Sequence, residues 1–404
     1  MPDGGPAGTG PVLVVGAGPV GLTAALALRA RGLPVALLEA DPEQRARPGS
    51  RALFVHRQSL SILDDAAPGL GHRIGGYGVV WHTRRTLYRG RQVFAKQMPR
   101  ADPAAPPPFS SLRQVDTERF LRAACRDAGV EFHWGAGVTA VETTPEAVSV
   151  RVRDGREFAA GYLVAADGAR SAVRRALGIG LEGARTEGFH VVVDVADEES
   201  TAERVFHYEH PGVGGRTVLR VPFRGGFQVD LQCRDDDPVT DFGTEAAVQR
   251  WLPGVVGDGY ADRVLWVSTY HFLQKVADSF TDPHRRVLLV GEAAHLFPPF
   301  GARGMNSGIA DADAAADAIA GAVADPPGAA GLVGGYAATR RAAALFNSAA
   351  AGTALSHLRP RPMMQVRQRA AAALAPLVPR CGSWLEHAPY GPRHGSPADP
   401  RRKY

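Results

Sequence analysis

Lysine is almost missing from this chain. Of its 46 basic residues only Lys96, Lys275 and Lys403 are lysines, and with alanine so abundant the arginine excess reads as a compositional habit of the coding sequence, not as a binding signature. Cysteine is equally sparse. Cys125, Cys233 and Cys381 are odd in number, far apart and without C-x-x-C spacing, which leaves no basis for a disulfide framework or a zinc site and fits a reducing cytoplasm; no metal is expected. No apolar run reaches the roughly 18 residues that a membrane-spanning helix needs. Even the Ala-rich stretch after Gly308 is interrupted by Asp311, Asp313, Asp317 and Asp325. Met1 to Gly10 has neither the basic start nor the apolar core of a secretory signal, so a cytoplasmic protein without membrane attachment is expected. A charge of one sign is lacking too: the net +5 comes from residues 359–404, where eight arginines and a lysine face two acids, and residues 1–358 are near neutral. A nucleic-acid groove is therefore not implied. There is no internal repeat.

What is present is ordinary for a folded, water-soluble protein: 404 residues, 45% hydrophobic and 22% charged, enough for two to three domains or one composite one. An apolar run, Val12 to Val15, leads into a Gly-rich turn and an Ala/Leu helix ending near Gly32, and a second apolar run, Val35 to Leu38, ends in Glu39. This reads as a crossover between two parallel strands covered on both faces. Residues 101–108 form a Pro-rich break. A helix from Thr117 to Ala128, short strands at 130–134, 138–143 and 148–153, and a fully apolar strand at 162–166 follow. From about 186 to 272 the texture changes to an antiparallel sheet with strands at 204–208, 216–223, 227–233 and 264–270. Strict alternation in Phe227 to Cys233 gives that strand one core face and one face toward water or a ligand. A buried strand at 286–291, a Gly/Pro-rich loop at 292–307, a long helix from near Ser307 and two Ala-rich helices broken at Arg359-Pro360-Arg361-Pro362 complete the chain, with a loose tail from about 388.

Gly16-Ala17-Gly18-Pro19-Val20-Gly21 has a strand before it, a helix after it and an acid, Glu39, 23 positions beyond its first glycine. The first glycine permits the tight turn, the second lets backbone approach a pyrophosphate at the helix N-terminus, and the acid accepts from ribose hydroxyls. This motif alone leaves NAD and FAD open. Two later segments narrow the choice: Leu163 to Arg174, containing Ala166-Asp167-Gly168, and Gly291-Glu292-Ala293-Ala294-His295 with Pro298-Pro299-Phe300-Gly301-Ala302-Arg303-Gly304-Met305-Asn306. Together the three segments resemble the single-component (group A) FAD-dependent monooxygenases of the p-hydroxybenzoate hydroxylase family, over about residues 11–345.

The resemblance implies an α/β fold: a discontinuous Rossmann-type FAD-binding domain (1–77, 101–185 and 273–335), an inserted antiparallel-sheet substrate domain (78–100 and 186–272), C-terminal helices (336–387) and a tail (388–404). It implies noncovalent FAD held by Gly16, Gly18, Pro19, Val20, Gly21, Glu39, Ala40, Arg51, Gln114, Asp167, Gly168, Gly291, Glu292, Pro299, Gly301, Gly304, Met305 and Asn306. Arg51 would approach the pyrophosphate, Gln114 the ribityl region, and Asp167 both FAD and a passing NADPH or NADH. A helix beginning near Asn306 would place its positive end at the flavin edge where charge accumulates on reduction. Substrate-side candidates are Pro298, Pro299, Arg220, Gln228 and Asp230, with no catalytic base named; His207, Tyr208, His210, Tyr270 and His271 lie on or beside the sheet, and surface exposure is the expected fate of each. His295 reads as a packed structural histidine. Glu292 departs from the family's usual Gly-Asp by one methylene, about one bond length.

The implied activity is NAD(P)H- and O2-dependent hydroxylation of an aromatic or heterocyclic small molecule, through a flavin C4a-(hydro)peroxide and in the setting of secondary metabolism. Baeyer–Villiger oxygen insertion on the same fold and a flavin-binding protein without oxygenase activity are the alternatives. A flavin halogenase is disfavoured, because tryptophans stand at 81, 134, 251, 266 and 384, never two apart, and Lys96 is the only early lysine.

Overall fold

Val12–Val15 is wholly buried between parallel neighbours, Val35–Leu38 on one side and Leu163–Ala165 on the other. Glu131–His133 and Val287–Leu289 extend the sheet outward, giving a five-stranded, all-parallel layer. Unbroken Val/Leu runs are what such a layer requires, since helices cover both faces. Pro19–Ala30 packs on this layer and against the 22-residue helix Arg303–Ala324, with the Gln114–Asp127 helix beside it. The computed structural model describes residues 10–44, 53–98, 106–185, 188–199 and 202–392.

A three-stranded antiparallel meander, Val138–Thr143, Val148–Val152 and Glu157–Ala160, adjoins the parallel layer. The second large layer has seven strands in the order Val264–Tyr270, His190–Ala196, Gly226–Gln232, Arg216–Phe223, Glu203–His210, Thr83–Tyr88 and Arg91–Gln97. It departs from the expected antiparallel sheet in one respect: Glu203–His210 pairs with Thr83–Tyr88 in parallel. The strand His190–Ala196 and the hairpin Thr83–Tyr88/Arg91–Gln97 were not foreseen as strands, the hairpin because its arginines mask its alternation.

Cross-strand register sorts this sheet into two faces, because residues directly opposite share a face. On the outer face Val191, Val193, Val195, Val218, Phe227, Val229, Leu231 and Cys233 pack with Val248, Trp251 and Leu252 from the following helices. On the inner face His190, Val192 and Asp194 stand opposite Gln232, Asp230 and Gln228, which stand opposite Thr217, Leu219 and Val221.

C-terminally, Ala329–Leu358 is one helix of 30 residues, beginning before the expected start; the break at 359–361 is present, and Pro362–Leu374 is followed by a further helix, Pro379–His387. These helices cover the inner face at Tyr88, Phe206 and Tyr208. Residues 388–392, expected to trail loosely, are held: Pro389 is buried, and the Arg303 guanidinium donates to the carbonyls of Tyr390 and Pro392.

Candidate active site

The residues after four neighbouring parallel strands lie at one edge of the first layer. Register aligns Val15 with Leu38 and Ala165, and Ala165 with Leu289, so Gly16, Glu39, Ala166-Asp167 and Val290-Gly291 all leave at the strands' carboxyl ends. In open α/β sheets that edge is where ligands bind.

The three motif glycines serve different masters. Gly16 has φ +106°, and a Cβ there would lie 2.5 Å from the Ala166 carbonyl oxygen; a Cβ on Gly21 would lie 1.9 Å from the Gly16 carbonyl oxygen. Both are dictated by protein packing. Gly18, by contrast, has ordinary extended backbone (φ −76°, ψ 176°), and a Cβ there meets nothing within 4 Å. The fold itself does not need glycine at 18, and the space beside it is open. Pro19 opens the helix at a position where a missing N–H costs nothing. Val20 fills the gap left by Gly291 and Gly308, whose absent side chains would strike its methyl groups.

Around this cradle, Glu39 is buried and accepts from the Ala17 N–H at 2.6 Å and the Asp41 N–H at 2.9 Å, tying the acid to the glycine turn. Ala40 beyond it is exposed. The Oδ2 of Asp167 accepts from the Ala172 and Val173 N–H groups, while its buried Oδ1 has no partner among the described residues. A buried orphan acceptor at this edge fits a hydroxyl of the ligand. Gly168 is left-handed and open. Gly291 is also left-handed and donates to Asp311, and Glu292 is exposed. Arg51 lies outside the described residues.

The loop 298–306 differs from expectation in detail. Its helix starts at Arg303, so by helix geometry the donors without intrahelical acceptors belong to Arg303, Gly304 and Met305, not to a turn starting at Asn306. The Asn306 side chain is spent on the protein: Oδ1 accepts from the His56 N–H and Ser59 Oγ, and Nδ2 donates to the Phe54 and Ala302 carbonyls. Consecutive left-handed residues, Gly301 and Ala302, turn the chain into the helix. The Pro299 carbonyl accepts from the Ala302 N–H, and Pro298 is buried. Gln114 opens its helix and donates to Glu118. The preceding residues link the two layers: Leu112 N–H donates to the Leu53 carbonyl, Ser111 Oγ to the Pro222 carbonyl, and Arg113 lies over Phe223.

Behind the Gly291 turn, Asp311 is 1% exposed and accepts from Gly291 N–H, Arg340 Nε at 2.6 Å and His295 Nε2 at 2.7 Å. Burial alone would raise this carboxyl; Arg340 and His295 outweigh it and hold it below the usual carboxylate range. His295 stacks on Phe297 at 4.4 Å, which makes it a packed structural residue.

On the substrate side, register separates the three polar candidates. Gln228 and Asp230 share the inner face; Arg220, opposite Val229, points to the other face, where it lies over Phe227 and 4.0 Å from Glu203. Arg220 therefore does not line the inner face. The alternation was legible within one strand, but the phase between strands was not. His207 and His210 are buried instead of exposed, their rings 4.1 Å apart, and burial together with His210 pushes His207 down to about 4. Tyr208 is buried and donates to the Leu385 carbonyl. Tyr270 is half-buried and His271 exposed.

Sequence reasoning missed His190 and Asp194. Both are on the inner face and almost fully buried: the His190 Nδ1 lies 2.6 Å from Asp230 Oδ1, and Asp194 Oδ1 accepts from Gln228 Nε2 at 2.8 Å. Burial pushes the Asp194 carboxyl up to about 6, against the opposing Gln228 bond and Arg113 charge. Period-two reading of His190-Val191-Val192-Val193-Asp194-Val195 would have placed both on one face. A separate cavity of about 810 Å³ lies between this sheet and the C-terminal helices, lined by Tyr208, Gln232, Leu358 and Gln368 among others; it includes none of the cofactor candidates.

A family model described as an FAD binding domain matches residues 9–346. Among curated proteins, the chain is 32% identical over 327 residues to a 6-methylpretetramide 4-monooxygenase of Streptomyces rimosus, covering 76% of this chain and 55% of that protein. The chain spans between 52% and 65% of the length of the curated relatives it matches. Among solved structures, p-nitrophenol 4-monooxygenase from Pseudomonas putida superposes with a TM-score of 0.75 at 24% identity, covering 95% of this chain and 99% of that one. Aklavinone-11 hydroxylase, solved with FAD and aklavinone, gives 0.73 at 24% identity, covering 90% and 71%. These likenesses establish the α/β fold with its Rossmann-type layer. No helix among the described residues is long and apolar enough to cross a membrane.

Proposed function

The chain belongs to the FAD-binding-domain family, and from that premise we propose that it is an FAD-dependent monooxygenase that uses NAD(P)H and O2 to hydroxylate a polycyclic aromatic small molecule. The observation that carries the reading is the cradle at the strand ends: room at Gly18 that the protein leaves unfilled, an orphan carboxylate oxygen on Asp167 and the first turn of the helix Arg303–Ala324, with Phe300 of the preceding loop against His190 on the inner sheet face. When bound, FAD would supply hydride acceptance from NAD(P)H and activation of O2, with one oxygen atom passing to substrate and the other to water.

The chain's own part is to hold and to exclude. The Gly16–Gly21 turn and the following helix start would bind the pyrophosphate, Glu39 the adenosine ribose, and Glu292, exposed at its turn, the ribitol. The N–H groups of Gly304 and Met305 and the positive end of their helix would stabilise negative charge at the flavin edge. Asp311 fixes the Gly291 turn that presents Glu292. The substrate would lie between the inner sheet face and the 298–301 loop, where the apolar group of Trp81, Val221 and Phe223 at one end keeps water out. The hydroxylase of 6-methylpretetramide and the aklavinone complex support a polycyclic aromatic substrate in secondary metabolism. The test is reconstitution with FAD followed by NAD(P)H oxidation with and without hydroxylated polycyclic aromatics. Stimulation by such compounds, with O2 uptake matching NAD(P)H consumed, is expected. Failure to take up FAD would end the reading.

A further inference from the structure

On the oxygenase reading above, we propose that His190 is the residue that takes the proton from an acidic hydroxyl of the substrate, with Asp230 orienting its ring and Asp194 anchoring a second donor group of the same molecule. His190 is 2% exposed and Asp194 1% exposed, so neither is a solvated surface group. Each keeps one buried polar atom without a partner among the described residues: Nε2 of His190 and Oδ2 of Asp194. Buried orphans of this kind are costly in a resting protein unless something else fills them, and both lie on the inner face of one strand. Four residues apart, they are separated by about 13 Å along the strand.

The two ends of that strand border the two segments assigned to the flavin. The His190 ring lies 4.1 Å from Phe272 and 5.9 Å from Phe300, which belongs to the 298–301 loop. At the other end Asp194 holds Gln228, which stands opposite Val221, and the next residue, Pro222, accepts from Ser111 Oγ, three residues before Gln114. A molecule lying between sheet and flavin would meet both orphans by displacing the side chains packed over them, Phe272 and Phe300 among them at the His190 end.

Geometry also sets the direction of the proton. A carboxylate only accepts, so the 2.6 Å contact with Asp230 places a hydrogen on Nδ1, and in the neutral ring Nε2 then carries the lone pair. In the step, the substrate O–H bond breaks, its proton joins Nε2, and the electron pair stays on the substrate oxygen. The resulting imidazolium is stabilised by Asp230, whose other oxygen takes the Tyr270 hydroxyl at 3.4 Å. No oxidant is needed. The titratable groups facing His190 are Asp230 and Tyr270 on the neighbouring strands; Phe272 and Phe300 are apolar, Gln232 bonds to the Leu358 carbonyl, and Arg359 is paired with Asp235. Asp194, on the same strand, has its Oδ1 on Gln228 and keeps Oδ2 for a donor of the substrate.

The test uses the FAD-loaded protein and 1,2-dihydroxyanthraquinone, a dye whose colour reports its ionisation. Bound to wild type, its ionisation constant rises about tenfold over that of the free dye, as expected for a neighbouring base and ion pair. His190→Gln abolishes the rise while FAD content is retained, and Asp230→Asn, which keeps an acceptor for Nδ1–H but removes the charge that stabilises the imidazolium, reduces it. Asp194→Asn leaves the rise and weakens dye binding. Equal ionisation in wild type and His190→Gln, no change in Asp230→Asn, or no bound spectrum in wild type overturns the assignment. NAD(P)H oxidation measured alongside separates the two ideas. Turnover with an unchanged pH profile in His190→Gln refutes the role of His190 alone, whereas an ionisation shift in a protein that never couples NAD(P)H to O2 refutes the oxygenase reading alone.

Discussion

Two alanine substitutions three residues apart should behave in opposite ways. In Gly21→Ala the new methyl falls 1.9 Å from the Gly16 carbonyl oxygen and 3.2 Å from the Ala166 side chain. Helix propensity returns about 1 kcal/mol, but overpacking this deep against backbone that cannot rotate away costs about 3 kcal/mol or more, for a net loss of about 2 kcal/mol or more. In Gly18→Ala the methyl enters open space on extended backbone, and the reduced freedom of the unfolded chain stabilises by about 0.4–1 kcal/mol. The same methyl occupies the place where backbone must approach the pyrophosphate. Losing one charge-assisted contact there costs about 1.5–3 kcal/mol, roughly ten- to hundredfold in FAD affinity. Urea unfolding of the apoproteins isolates stability from the stabilisation that bound FAD would add; fluorescence titration with FAD measures binding. The reasoning is refuted if Gly18→Ala binds FAD as wild type does, or if it loses as much apoprotein stability as Gly21→Ala.

Glu292→Ala should weaken FAD binding about ten- to hundredfold, and Glu292→Asp far less; equal affinity of Ala and wild type in the same titration would remove Glu292 from the cofactor. Asp311→Ala should destabilise by about 3–5 kcal/mol, because it strands Arg340 and the Gly291 N–H in the interior. Since the Asp311 carboxyl is held low in the folded state, its contribution is complete above the unfolded value of about 4 and is lost as pH falls further, so urea midpoints of wild type and variant should converge in acid. Asp194 has the opposite sign: its carboxyl is raised to about 6, so the folded state loses stability as pH rises from about 4 to 6, and Asp194→Asn should be more stable at neutral pH by about 1–3 kcal/mol. A variant less stable than wild type at pH 7 and unchanged in acid would contradict that sign.

Four of the five parallel strands were legible because each is a short continuous run of Val, Leu and Ala followed closely by a marked residue type: Gly16, Glu39, Asp167, Gly291. Those signals are local. The substrate sheet was legible only strand by strand, since Gln228 and Asp230 reveal their own alternation but nothing in the sequence fixes the phase of Arg220 against them. Pairing register decides that, and it put Arg220 on the far face. Asn306 shows a second limit: the residue type and position matched a flavin loop, yet the side chain braces Phe54, His56 and Ser59 across more than 240 residues of chain. His190 and Asp194 were hidden because their strand was not foreseen, and only burial in the sheet picks out their unpaired atoms.

The measurement that tests the central claim most directly is the fate of isotopically labelled O2 during NAD(P)H oxidation stimulated by a hydroxylated polycyclic aromatic. One labelled atom is expected in the organic product and one in water, with NAD(P)H and O2 consumed in equal amounts. Product oxygen derived only from water, or O2 recovered entirely as hydrogen peroxide with every aromatic tried, would contradict it.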